Sequence, residues 1–192
     1  MGVRQPPRKH RDHQRYLTVE ELRRILDGCG SRDKALFFCM YELALRASEP
    51  GHLRWEDLQD GRIHVRRGKG SNPGEFSVSK QLLDALQALP QPHDGPTFPG
   101  RGQGRGLSRF GVSVLWIAAC RRAGISARAA YPHILKHTRC THLADAGVEQ
   151  KIRMHSAGWR SSGTADRYTH LTPRMVAEGE RITAEAMRLI GG

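Results

Sequence analysis

Apolar residues recur at helical spacing along most of this chain and alternate only briefly. Thr18 followed by Glu21 forms a capping box, and Leu22, Ile25 and Leu26 supply an apolar stripe. A helix is therefore expected from about residue 18, ended by Gly28 and Gly30. Ser31 is placed to cap a second helix through Ala35, Leu36, Phe37, Met40, Leu43 and Leu45, apolar enough to be central core. The period then changes. Residues 62–67 alternate with Ile63 and Val65 on one face, and residues 75–79 alternate with Phe76 and Val78. The turn-rich GKGSNPG between them predicts a small β-hairpin with Lys69 near its tip.

Helical spacing returns at Leu82, Leu83, Leu86 and Leu89. Residues 90–107 are rich in proline, glycine and arginine and read as an exposed loop. Ser108 opens a helix through Val112, Val114, Leu115 and Ile117 to about Ala123. A further helix covers His133 to Ala146 and stops at Gly147. Residues 149–157 and 162–169 read as short helices on either side of Gly158-Trp159, and residues 173–190 fit a last amphipathic helix. The first fifteen residues are basic, hold two prolines and lack apolar periodicity, as expected of a flexible tail over 1–15. The pattern as a whole is α+β, mostly α-helical, with one small antiparallel sheet: a single domain over 16–192.

Charge adds a partner to this picture. Lys plus Arg number 31 against 19 Asp plus Glu, a formal charge of +12, which favours a polyanion. No apolar run is long enough to span a bilayer and no secretory leader is apparent, so a cytoplasmic location is expected, without membrane attachment. The four cysteines form no CxxC pair, and Cys39 and Cys120 lie in apolar stretches as buried thiols. His133 and His137 have the i, i+4 spacing of a helical metal pair, but no acidic third ligand lies nearby and no HExxH occurs, so no metal or other cofactor is expected.

Six dispersed residues carry candidate chemistry: Arg46, Lys69, His133, Lys136, Trp159 and Tyr168. Arg46, following the apolar second helix, can project a planar charged fork that matches two phosphate oxygens. His133 and Lys136, at i, i+3, share a helix face just after Pro132. A tyrosine is a poor nucleophile at its ordinary pKa of about 10. Surrounding cations would lower that value and stabilise charge developing on a phosphate. Taken singly, each residue has a plain structural reading: Arg46 as a salt bridge to Glu49, Tyr168 as a half-buried packing residue.

Together, their order and separations resemble the catalytic domain of the tyrosine recombinase (phage integrase) family. The matching stretches are LTVEEL at 17–22, ALRASEPGHLRWEDL at 44–58, RRGKG at 66–70, YPHILKHTRCTHLADAG at 131–147 and AGWRSSGTADRYTH at 157–170. The resemblance implies that family's fold and a site-specific DNA recombinase acting through a 3′-phosphotyrosyl intermediate, without a cofactor. By the same resemblance, Tyr168 is the nucleophile, Arg46 a phosphate-clamping arginine and Lys69 the general acid for the leaving 5′-oxygen. His133 assists proton transfer and contacts the phosphate. Trp159 stands where a histidine is usual and can donate a hydrogen bond but not shuttle a proton. Glu49 matches a supporting acid.

Two departures qualify the likeness. Lys136 stands where the family usually has arginine, keeping charge but losing the two-pronged grip, so reduced activity is expected. The pattern also begins by residue 18, leaving only the basic tail before it and no N-terminal core-binding domain, as in the short single-domain members. Arg66, Arg67, Arg101, Arg105 and Arg109 are candidate phosphate contacts on double-stranded DNA. The family implies a homo-tetramer on paired sites, an accessory DNA-bending protein and association with the nucleoid. The competing readings are a catalytically impaired integrase-like DNA-binding protein or regulator, and a type IB topoisomerase-like relaxing enzyme.

Overall fold

The computed structural model describes residues 16–68, 71–91, 95–126 and 129–165. Lys69, Tyr168, the basic tail and the expected helix at 173–190 lie outside the described residues.

The chain enters through α1 (Val19–Asp27), where the Thr18/Glu21 capping box forms as expected. The second helix, α2 (Ser31–Glu42), is the hub: it packs against α1, against α3 (Lys80–Gln87) and against α5 (Ile134–Asp145). Gly30, not Ser31, occupies its N-cap, and no side chain caps it. The buried Ala35, Leu36, Phe37, Cys39 and Met40 account for its anchoring, since tertiary burial outweighs a missing cap of about 1 kcal/mol. Phe37 meets Trp116 of α4 (Arg109–Arg122) edge to face at 4.9 Å, and the Trp116 indole donates to the Ala129 carbonyl at 3.1 Å.

The sheet has three antiparallel strands: β1 (Leu58–Gln59), β2 (Arg62–Val65) and β3 (Gly74–Ser77) in the order β1-β2-β3. Ile63 pairs with Leu58 on one side and Phe76 on the other. The two-residue β1 is an addition to the expected hairpin, too short to leave an alternating pattern. Ile63 and Val65 are buried, as their alternation predicts.

The proline- and glycine-rich segment is a correction. Thr97 and Phe98 are buried, and the segment is tied down by bridges Arg54↔Pro96 and Pro99↔Gly106. Gly51 and Gly106 approach so closely that a Cβ on Gly106 would overlap the Gly51 carbonyl. Only a residue without a Cβ allows that contact. α4 is also turned from its expected face: Val112, Trp116, Ala119 and Cys120 are buried, while Phe110, Val114 and Ile117 are exposed.

Two further helices, α6 (Gln150–Ala157) and the single turn α7 (Ser162–Ala165), flank Gly158 and Trp159. The entry of the chain is latched onto α5. Leu17 N–H donates to Thr138 Oγ1 at 3.0 Å, and the Leu17 carbonyl lies 2.9 Å from His142 Nε2. A carbonyl only accepts, so Nε2 carries the proton and Nδ1 accepts from the Tyr41 hydroxyl at 2.8 Å.

Candidate active site

Arg46 follows α2 through a sharp reversal. Ala44 adopts φ +48°, a left-handed conformation that costs a non-glycine residue about 1–2 kcal/mol. Two buried cations hold it there: the Ala44 carbonyl accepts from Lys136 Nζ at 3.0 Å and from Arg67 Nη1 at 3.3 Å. The reversal aims Arg46 at buried Glu49. Glu49 Oε2 accepts from the Arg46 backbone N–H at 2.7 Å, and Oε1 from its guanidinium at 3.2 Å. The same Nη1 also donates to the Ser71 hydroxyl, across the β2–β3 connection. Arg46 keeps about a third of its side chain open, 35 %, while Glu49 keeps 2 %. Glu49 thus supports Arg46 from beneath, and an ion pair with a partly exposed guanidinium leaves the free edge of that fork to solvent.

His133 is the N-cap of α5, one position before the helix rather than within it. Its ring stands edge-on to His137, with centroids 4.6 Å apart. Much of the residue is open to solvent. Packing beneath nevertheless desolvates the ring, and the charges of Lys136 and Arg46 add to this, so its pKa falls below the ordinary histidine range. A neutral ring able to accept a proton results. No cluster of three metal-ligating side chains occurs among the described residues.

Lys136 is placed differently from expectation. It points inward, 2 % exposed, and donates to the carbonyls of Ala44 at 3.0 Å and Ala157 at 2.6 Å. Burial and, next, the nearby Arg67 lower its pKa to about 7. Its Nζ lies 6.0 Å from the Trp159 ring centroid. Trp159, after the left-handed Gly158 (φ +64°), is bridged to Ser71 and buried against Ala44, Cys140 and Ala157. Arg46, Glu49, His133, Lys136 and Trp159 therefore converge from the α2 exit, α5 and the α6–α7 junction.

Arg67 is a correction. Its side chain is fully buried and so cannot serve as a surface phosphate contact. Its guanidinium donates to Leu43 O at 2.9 Å and Ser156 O at 2.8 Å as well as to Ala44 O, and pairs with Glu49 at 3.5 Å. The other basic candidates are exposed. Arg66, Arg105 and Arg109 line a cleft of about 800 Å³, joined by His52 and Arg54, which no pattern in the sequence singles out. Arg66 is engaged by Asp57 at 2.7 Å. Arg101 lies in a neighbouring cleft with Arg32 and Phe110. Gly68 and Ser48 on the cleft wall make it continuous with the Arg46–Glu49 turn.

This arrangement agrees with sequence comparison: residues 15–175 match the profile of the phage integrase family. The chain belongs to that family. Its relatives include the tyrosine recombinase XerC of Stutzerimonas stutzeri, 31 % identical over 86 % of this chain and 58 % of the relative. XerD of Brucella abortus is 30 % identical over 88 % of this chain and 63 % of the relative. The chain thus spans about three-fifths of the length of these curated relatives. Integrase-family structures share the fold. The XerA recombinase superposes with a TM-score of 0.72 at 21 % identity, over 88 % of this chain and 65 % of that one. The Tn1549 transposon integrase, solved with circular intermediate DNA, gives 0.73 at 18 % identity, over 90 % and 68 %.

Proposed function

We propose that this integrase-family chain is a site-specific DNA recombinase that cuts and rejoins strands through Tyr168. The observation that carries the reading is the gathering of Arg46, His133, Lys136 and Trp159 around the exit of α2, with Glu49 bracing Arg46. Cationic and N–H donors gathered in this way suit a phosphodiester whose charge grows during attack. Family membership supports the same reading, as do related structures holding DNA, such as XerH bound to its difH substrate.

In the proposed step the Tyr168 oxygen bonds to phosphorus and the bond from phosphorus to the 5′-oxygen breaks. The phenolic proton passes to neutral His133, and Lys69 gives a proton to the departing 5′-oxygen. Arg46 grips two non-bridging oxygens. The phosphotyrosyl bond retains the energy of the broken linkage, so a 5′-hydroxyl of another strand can reverse the attack without a nucleotide cofactor. The exposed arginines of the cleft contact flanking phosphates. Four protomers around two duplexes, with an accessory DNA-bending protein, complete the assembly.

A second reading has one observation in its favour. Lys136 is committed to two carbonyls, which suits a DNA-binding protein of impaired activity as well as it suits an enzyme using Lys136 as a buried charge. A library of nicked suicide duplexes separates these readings. A recombinase forms a covalent protein–DNA adduct that Tyr168→Phe abolishes, and a binding protein retards the duplexes without forming one. Site-independent relaxation of supercoils would instead identify a topoisomerase-like enzyme.

A further inference from the structure

Ser71 stands just before β3 and is a small, buried residue that no pattern in the sequence singles out. Its backbone is stitched to the α6–α7 junction. Ser71 and Trp159 form an antiparallel bridge, Asn72 N–H donates to Gly158 O at 3.1 Å, and Arg160 Nε donates to Asn72 Oδ1 at 3.0 Å. Gly158 permits the approach: a Cβ there would meet Asn72 O at 3.0 Å and overlap Arg67 Cδ. These contacts fix Ser71 in register with Trp159, and the Ser71 hydroxyl reaches Arg46.

The contact with Arg46 is selective. A guanidinium has five N–H donors, two on Nη1, two on Nη2 and one on Nε. Glu49 Oε1 and Ser71 Oγ both accept from Nη1, which uses both protons of that nitrogen. Nη2 and Nε have no hydrogen-bond partner among the described residues. Together they form the edge of the fork that can take two oxygens of one phosphate. One acceptor on Nη1 would let the guanidinium plane turn about that bond, whereas an acceptor for each proton fixes the plane. Ser71 is also neutral, so it holds the fork without cancelling the charge that a phosphate meets.

The geometry points to Ser71 as a positioning residue for Arg46. Its hydroxyl fixes the guanidinium relative to Trp159 and turns the Nε–Nη2 edge toward the scissile phosphate. Arg46 is thus held by its own helix exit through Glu49 and by the Trp159 segment through Ser71. The inference rests on the phosphate-clamping reading of Arg46.

The test uses a nicked suicide duplex in two forms, one with the ordinary scissile phosphodiester and one with a methylphosphonate there. The methylphosphonate lacks the negative charge that Arg46 would neutralise. Adduct formation by each variant is measured relative to wild type on the same duplex. Arg46→Ala is expected to lose about 100- to 1,000-fold on the phosphodiester and to recover at least about tenfold on the methylphosphonate. Ser71→Ala is expected to lose about 10- to 100-fold on the phosphodiester and to recover likewise, because its effect passes through Arg46. Added to Arg46→Ala, it should cost nothing further. Ser71→Cys, which keeps the size but offers only a weak acceptor, carries the same comparison if Ser71→Ala does not fold. Full activity of Ser71→Ala on the phosphodiester would overturn the proposal. So would an equal loss on both duplexes by the folded Ser71 variant while Arg46→Ala recovers on the methylphosphonate. If Arg46→Ala itself fails to recover, the clamping reading falls and takes this inference with it.

Discussion

Lys136 shows how one substitution in a familiar pattern changes a residue's chemistry. An ammonium has three N–H donors and a neutral amine two, and the described surroundings offer Lys136 two backbone acceptors. Its folded pKa, about 7, lies below the ordinary lysine value of about 10.4. Between those values the unfolded chain holds the proton more tightly than the folded one, so this residue's contribution to stability rises with pH across that window. The slope is at most about 1.4 kcal/mol per pH unit. Urea unfolding of wild type and Lys136→Met between pH 6 and 9.5 should show their difference growing in favour of wild type above pH 7. A constant difference would contradict the buried placement. The sequence reveals that Lys136 and His133 share a helix face, because spacing fixes direction around the axis. It does not reveal depth: His133 emerges at the helix start while Lys136 turns under the α2 exit. Arg67 is hidden for the same reason, since a basic RRGKG run reads as surface until the fold brings carbonyls to it.

At the scale of elements, α1 is legible because it carries both a cap and a stripe, Thr18 with Leu22, Ile25 and Leu26, whereas α2, which no side chain caps, is legible from its run of apolar residues alone. Where pattern and structure part, the causes are physical. α4 bears two apolar stripes, and neighbouring packing selects Val112, Trp116, Ala119 and Cys120 over Phe110, Val114 and Ile117. The 95–107 segment is pinned largely through backbone approach, which leaves no side-chain pattern. Gly106→Ala isolates that approach. A methyl against the Gly51 carbonyl forces the segment away from the Arg46–Glu49 turn and should cost about 1–3 kcal/mol in thermal or chemical unfolding, by overpacking. Unchanged stability would mean that the closeness of Gly51 and Gly106 is not a constraint of the fold.

For the whole molecule, a charge of +12 becomes specific only where the fold gathers it. Arg105 and Arg109 stand on the cleft wall with no carboxylate partner among the described residues, whereas Arg66 already pairs with Asp57. The double variant Arg105→Ala with Arg109→Ala should therefore weaken DNA binding and flatten its salt dependence, by about 0.9 in the log–log slope for each phosphate no longer neutralised. An unchanged slope would place the duplex elsewhere. These effects concern holding DNA. The claim on which the rest depends is covalent chemistry at one phenol, and peptide mapping of the trapped adduct tests it most directly. Protease digestion and mass spectrometry of protein captured on a suicide duplex should find a nucleotide 3′-phosphate on Tyr168. Linkage to another residue, or through a 5′-phosphate, would contradict the account.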